Sequence, residues 1–439
     1  MSNDTIFALA SGRGRSGVAV VRLSGPGALA SLAAMTTRDL PESHRAVVRN
    51  IVTIDKKTVI DQSLAILFAA PNSFTGEDVV ELHLHGGLAV LRTLFDQLAA
   101  SKGLRPADPG EFTRRAFENG KLDLTEAEGL ADLVNAETEA QRQQALRQMQ
   151  GALGALYDGW RNELIGSLAH LEADIDFPDE DLPGGVAEAI APRITELTAE
   201  LQSHLADGHR GEKIRDGLDV AIIGTPNVGK SSLLNALARR DAAIVSEQAG
   251  TTRDIVEVHL DLAGYPVTIA DTAGLRDAGN VIEREGVRRA LERAEQADIR
   301  ILMTTARHPQ IPAGFADLHR TGDIHVVNKT DLGRKGYAPA GSLSLSVKTG
   351  IGVDGLLNGL EAEVVRRLDV SGAPALTQLR HRMALEECVA ALQRFLLAAE
   401  AELAAEDVRL AVRALGRITG RVDVEDILDV VFGDFCIGK

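Results

Sequence analysis

One stretch, Gly224-Thr225-Pro226-Asn227-Val228-Gly229-Lys230-Ser231-Ser232, constrains the fold of this chain more than any other. It follows an apolar run, "LDVAIIG", and opens a helical pattern, so Gly224, Gly229, Lys230 and Ser231 fit G-x-x-x-x-G-K-[ST] in a strand–loop–helix context. Glycines let successive backbone N–H groups wrap phosphate oxygens. Lys230 reaches the β and γ oxygens, and the Ser231 hydroxyl can hold Mg2+. Residues 218–370 keep the same rhythm: "YPVTIAD", "DIRILMT" and "IHVVN" are short apolar runs between helical stretches. That alternation predicts a parallel sheet with crossover helices.

Two further motifs make the loop a guanine-nucleotide site. Asp271-Thr272-Ala273-Gly274 closes "YPVTIAD". Asp271 can hold Mg2+ through water, and the Gly274 N–H can sense the γ-phosphate. Asn328-Lys329-Thr330-Asp331 closes "IHVVN". The Asp331 carboxylate can accept two hydrogen bonds from the guanine edge. Adenine lacks that donor pair, and a buried carboxylate left unpaired is costly, so discrimination is strong. Ser346-Val347-Lys348 follows another strand and would sit on the base. With Asn227, Val228 and Ser232 of the loop, these residues form the expected GTP/GDP site. Ras-like GTPases orient water with a glutamine after the Asp-x-x-Gly motif, whereas Leu275 stands here. Arg253 and Arg276 read equally well as ordinary loop charges, so a cation bound in the site is the physical candidate for the missing charge.

At 439 residues the chain needs two to four domains. Hydrophobic residues at 45% and charged residues at 25% suit a soluble globular protein, and no apolar run approaches the length of a membrane span. The start, "MSNDTIFALASGRG", is not a signal peptide, and two cysteines build neither a disulfide framework nor a zinc cluster, so a reducing cytoplasm is the expected location. A net charge of −16 argues against coating nucleic acid by bulk electrostatics. Residues 1–120 carry 13 Lys+Arg and 12 Asp+Glu, against 34 and 51 in the remainder, which favours the N-terminal part for any RNA contact. Aromatics at 3% make a base-stacking platform improbable.

Residues 1–120 read as mixed β and α, with "GVAVVRLSG" and "VVELHLHGG" as strands and "LAVLRTLFDQLAASKG" as a helix. Helical spacing without proline runs from Leu122 to Asp174, is broken by the acidic loop "DIDFPDEDLPGG", and returns from Thr377. An α/β domain is therefore inserted between two helical segments. His83 and His85 alternate on one strand face, and no third metal ligand is evident. The terminal "FCIGK" formally contains a C-a-a-X pattern at Cys436, but Gly438, Lys439 and the acidic residues upstream exclude prenylation. That leaves a bland terminus or a tail that docks into a site.

The chain resembles the tRNA-modification GTPase MnmE (TrmE) family along its whole length. The resemblance is carried by "GRGRSGVAVVRLSG", "VVELHLHGG", "RRAFENGKLDLTEAEGLADLV", "GTTRD" after "AAIVSEQA", "DTAGLRDAGNVIEREGVRRA" and the terminal "FCIGK". It implies an N-terminal α/β domain at 1–120 that binds tetrahydrofolate and dimerises, a helical domain at 121–214 and 373–439, and a P-loop Ras-like GTPase domain at 215–372. It implies a homodimer that joins the flavoprotein MnmG in a heterotetramer and modifies the wobble uridine of certain tRNAs at C5, using a one-carbon unit of 5-formyltetrahydrofolate or a related folate. By position, K+ falls to Asn227, Ser246, Gln248 and Thr251. Mg2+ falls to Ser231 and Thr252, and the water-orienting role to Glu283. Folate falls to Arg22, Glu81, Lys121 and Lys439, with Cys436 near the one-carbon unit as a candidate catalytic thiol. Folate's glutamate tail suits cations, and its ring donors suit a carboxylate. The other reading is a ribosome-assembly or translation GTPase, a switch without group transfer.

Overall fold

The computed structural model of the chain describes residues 4–176, 186–240, 242–244, 257–271, 292–308, 320–332, 339–369, 374–422, 425–433, 435 and 437–438. They fall into two compact units. One comprises Met1–Ala131, Gly154–Glu163 and Val412–Lys439, the other Asp132–Leu153 and Leu164–Ala411. The α/β, helical and P-loop parts expected from the sequence are all present.

The first unit is built on a six-stranded sheet of β1 (Thr5–Leu9), β2 (Ser16–Ser24), β3 (Val47–Val52), β4 (Val59–Phe68), β5 (Val79–Gly86) and β6 (Leu104–Pro106), in the order β3-β4-β5-β2-β1-β6. Strand alternation decides which face is apolar. Val80, Leu82 and Leu84 of β5 join Val21 and Leu23 of β2 in one core. That core is closed by Ala28 and Leu32 of α1 (Ala28–Ala34) and by Leu91, Leu94 and Leu98, the helically spaced stripe of α2 (Leu88–Ala99). The opposite face carries Arg22, Glu81 and His83, and the antiparallel register sets Arg22 directly across from Glu81. Helix α3 (Glu111–Glu118) starts after Gly110, whose φ is +66°, and buries Phe112 with Ile6, Ala8 and Ala107. The strands around "GVAVVRLSG" and "VVELHLHGG" and the helix after them agree with the sequence reading. The β3–β4 hairpin was not read from the sequence, because its turn from Thr53 to Thr58 places Lys56, not a glycine, at the positive-φ position.

From Leu122 to Asp174 the helical pattern resolves into α4 (Leu124–Asn135), α5 (Glu139–Met149) and α6 (Ala152–Asp176). Helix α5 begins at a capping box in which Thr138 and Gln141 satisfy each other's backbone N–H groups. Most of the acidic loop lies outside the described residues. Helices α7 (Val186–Leu205) and α8 (Arg210–Asp216) lead into the second unit's sheet, and Arg382 of the helix Leu379–Phe395 grips Glu212 of α8 at 3.0 Å.

That second sheet contains β7 (Leu218–Gly224), β8 (Glu257–Leu262), β9 (Tyr265–Asp271), β10 (Ile299–Thr305), β11 (Ile324–Asn328) and β12 (Leu343–Ser344), ordered β12-β11-β10-β7-β9-β8. Five strands run parallel and β8 pairs antiparallel with β9 at the edge. Strands buried on both faces must be largely apolar, as "LDVAIIG" and "IRILMTT" are apart from the exposed Asp219, the paired Arg300 and the closing threonines. Val220 and Ile222 face a core with Leu233, Leu234 and Leu237 of α9 (Lys230–Leu237) and with the helix Val353–Leu368, whereas Ala221 and Ile223 face Ala294 and Ala297. The strand order reverses direction at β7, where open α/β sheets bind ligands beyond the carboxyl ends of their strands. The P-loop follows β7 there.

Candidate active site

The P-loop is small because its neighbours leave no room. A Cβ on Gly224 would lie 2.5 Å from the Met303 carbonyl oxygen. Gly229 is the N-cap of α9 with φ +113°, and a Cβ there would meet Asn328 Nδ2 at 2.4 Å. Asn328 is the reason for that crowding. Its Nδ2 donates to the Val228 carbonyl at 2.9 Å, and its Oδ1 accepts from the Val347 N–H at 3.1 Å. A side chain only 3% exposed thus ties the phosphate loop to the two loops expected at the base. Lys329 adds a second tie, Nζ to the Asn227 carbonyl at 2.7 Å.

Asp331 Oδ1 accepts from Ser346 Oγ at 2.7 Å, which fixes the plane of the carboxylate. Asp331 is exposed. Its discrimination against adenine therefore does not come from a carboxylate buried in advance, and the bound ring itself has to exclude water from it. Lys348 and Ser232 are exposed as well.

Lys230 is 7% exposed, with Nζ donating to the Gly224 carbonyl at 2.8 Å and the Thr225 carbonyl at 3.2 Å. Burial lowers its pKa, and the nearby Asp271 charge works in the opposite direction. Ser231 Oγ donates to Asp271 Oδ2. This pair of oxygen donors at a helix N-terminus fits Mg2+ and a phosphate together. Of the expected K+ ligands, Asn227 is described. It is exposed with φ +61°, and its amide oxygen is a suitable ligand type for an alkali cation. Ser246, Gln248, Thr251, Thr252, Thr272, Ala273, Gly274 and Glu283 lie outside the described residues. The loop also borders a cleft of about 430 Å³ reaching Arg307 and His308. Its lining takes in Thr225 to Val228 of the P-loop and omits Ser231, Asp271 and Asp331.

In the first unit the structure brings Arg22 and Glu81 into a direct ion pair at 2.8 Å. Glu81 Oε2 meets His83 Nε2 at 3.3 Å, while His85 Nδ1 meets Asp61 Oδ1 at 2.8 Å. The two histidines therefore serve different carboxylates, and among the described residues no group of three potential ligands could hold a metal. The Arg22 guanidinium lies 5.5 Å from the Phe74 ring centroid and 5.7 Å from that of Phe112, an aromatic enclosure that the sequence reading missed. Lys121 is exposed, and its stem lies close to Gly76. A carboxylate for ring donors and cations for a glutamate tail match the chemistry of a folate.

Cys436 and Lys439 lie outside the described residues, but their neighbours are docked. Ile437 bridges Pro109, and Phe435 packs with Phe432, Leu428 and Leu124. Gly438 has φ +102°, and a Cβ on it would lie 2.1 Å from the Leu9 carbonyl oxygen. Leu9 follows Ala8, the residue opposite Arg22 in the β1–β2 register. Phe435, Ile437 and Gly438 are thus packed against the first unit, with Gly438 beside the end of β1, the strand next to the one that carries Arg22.

Comparison with known proteins finds relatives along the whole chain. A family described as the GTP-binding protein TrmE N-terminus matches residues 5–121, and one described as the MnmE helical domain matches residues 124–436. The tRNA modification GTPase MnmE of Parvibaculum lavamentivorans is 57% identical over 440 residues, covering 99% of this chain and all of that one. Proteins of the same name from Paramagnetospirillum magneticum and Rhodospirillum rubrum are 54% and 55% identical, each aligned over 100% of both chains.

Proposed function

The chain belongs to the MnmE family of tRNA-modification GTPases, and on that premise we propose that it is a K+-dependent GTPase that works with the flavoprotein MnmG. Together they add a carboxymethylaminomethyl or aminomethyl group at C5 of the wobble uridine of certain tRNAs, with a tetrahydrofolate as the one-carbon source. The observation that carries the nucleotide half is the Asn328 clamp, which holds the P-loop and both base loops in one buried hydrogen-bond set. The GTPase domain spans 215–372, inserted between helical segments 121–214 and 373–439. The N-terminal domain at 1–120 forms the homodimer, and two MnmG subunits complete the assembly.

Carried over by position from the family, the division of labour is as follows. Backbone N–H groups of Val228 to Ser232 and the Lys230 ammonium bind the phosphates. Ser231, Thr252 and Asp271 place Mg2+. Asn227, Ser246, Gln248 and Thr251 place K+. When bound, both cations would supply positive charge at the phosphate oxygens, K+ in the place of an arginine finger. Glu283 orients the attacking water through a second water, the task Leu275 cannot perform. Arg22, Glu81, Lys121 and Lys439 bind the folate, with Cys436 close to its one-carbon unit.

The test is chemical. Wobble uridines of tRNA from cells lacking this chain should lose the C5 group by mass spectrometry. The wild-type gene should restore it and Asp271→Ala should not. Unchanged tRNA in the deleted cells would instead favour the ribosome-assembly or translation switch.

A further inference from the structure

The loop between β4 and β5 touches both described cations of the folate reading, and it does so through two adjacent features. Phe74 and Phe112 flank the Arg22 guanidinium at 5.5 and 5.7 Å. Two residues on, Gly76 has φ +77°, and a Cβ there would lie 3.3 Å from Lys121 Cε and 3.4 Å from its Cγ. The Lys121 stem therefore passes directly over a residue without a side chain.

The loop is anchored from below by buried polar groups. Thr75, fully buried, exchanges a 2.7 Å hydrogen bond with Ser24 Oγ. Asn119 Nδ2 donates to the Thr75 carbonyl at 2.7 Å. Glu77 pairs with Arg115 at 3.2 Å and accepts from Ser24 Oγ at 2.7 Å. Arg115 is itself buried and also holds Asp4 and Glu111. A loop fixed by so many satisfied buried groups has one conformation. Phe74 packs against the cluster of Ile6, Ala8, Ala107 and Phe112, so its ring has no freedom to leave the guanidinium.

We propose that this loop is the positioning element of the folate pocket, with Phe74 setting the plane of Arg22 and Gly76 setting the path of Lys121. The inference rests on the folate reading above. Arg22 already spends one edge on Glu81. Left unstacked, it would sample other rotamers and meet a ligand carboxylate in the correct plane only part of the time. With one edge on Glu81 and both ring centroids within 5.7 Å, its remaining N–H groups are directed away from that edge. Pre-set cations bind a carboxylate ligand with less ordering cost than free ones.

The experiment is a double-mutant cycle on folate binding in the full-length protein. 5-Formyltetrahydrofolate is titrated into wild type, Phe74→Leu, Arg22→Ala and the double variant by calorimetry, with thermal melts to confirm folding. Phe74→Leu should weaken binding by roughly three- to thirtyfold, the range of one partly desolvated cation–π contact. In the Arg22→Ala background it should cost nothing further, because the residue it positions is gone. Phe74→Tyr, which keeps the ring, should bind like wild type, a rescue that a purely structural effect of the leucine would not single out through Arg22. Gly76→Ala should weaken binding more in wild type than in a Lys121→Ala background, the remainder in that background being the strain of φ +77° and the contact with Asn119 Cβ at 3.2 Å, which alanine meets with or without Lys121. The proposal is overturned if Phe74→Leu binds as tightly as wild type, or if it costs the same with and without Arg22. No binding by the wild type overturns the folate reading itself, and the proposal with it.

Discussion

Replacing Asn328 with aspartate changes one atom type at the centre of the nucleotide site. The side chain keeps its shape, and the oxygen facing the Val347 N–H at 3.1 Å still accepts. The other position changes from a donor to an acceptor facing the Val228 carbonyl oxygen at 2.9 Å. A site only 3% exposed cannot relieve that clash with water. If the carboxylate stays charged, a buried carbonyl loses its donor, at about 1–3 kcal/mol, and the charge is desolvated as well. If it protonates, the bond to Val228 is restored, and the cost is that of holding a proton above the usual carboxylate range, ~1.4 kcal/mol per pH unit. The cheaper route sets the penalty, so about 2–4 kcal/mol is expected at pH 7.5, or roughly 30- to 1000-fold in nucleotide affinity. The sign with pH follows from linkage. The aspartate's folded pKa is raised above its unfolded value, so its contribution is fully present below the unfolded pKa and is lost as pH rises through the folded one. The variant should therefore recover at low pH. The assay is the affinity for a fluorescent GDP analogue and the denaturation midpoint, each at pH 5.5 and 7.5. Binding within twofold of wild type at pH 7.5, or a penalty that does not shrink at pH 5.5, would refute the clamp.

Lys230→Met should abolish nucleotide binding yet slightly stabilise the nucleotide-free protein, because the desolvation of the ammonium outweighs its attraction to Asp271 and its bonds to two carbonyls. The wild-type pKa is lowered, so wild type should gain stability relative to this variant as pH rises toward 10.5 and lose it as pH falls, read from denaturant melts. Arg300→Met leaves Asp323, its partner at 3.0 Å, buried without a counter-charge, and should cost about 3–5 kcal/mol in urea unfolding. Gly438→Ala drives a Cβ into the Leu9 carbonyl and should release the tail, seen as faster trimming by a carboxypeptidase. Burial pushes the Cys388 thiol up to about 12, so it should resist thiol reagents until the protein unfolds.

What the sequence disclosed was set by how local the signal is. The loop from Gly224 to Ser232, the motifs at Asp271 and Asn328, and the apolar strands before them are short contiguous patterns, and β7, β9, β10 and β11 lie where those patterns place them. The clamp role of Asn328 joins residues a hundred positions apart, and no spacing rule announces it. Phe74 and Phe112 were silent for the same reason. A phenylalanine in "NSFTGED" reads as an ordinary loop aromatic until Arg22 is folded against it. The ion pair of Arg22 with Glu81 needs the β2–β5 register, which neither strand reveals alone. The exposure of Asp331 was misjudged because the motif implies the liganded site, in which the base supplies the burial.

The measurement that tests the account most directly is steady-state GTP hydrolysis in K+ and in Na+ at matched ionic strength, for wild type and Asn227→Ala. Strong acceleration of the wild type by K+, lost in the variant, is the result the account predicts, since Asn227, exposed in the P-loop, is the described member of the proposed K+ ligand set. Equal, slow rates in both salts would contradict it and require another activator.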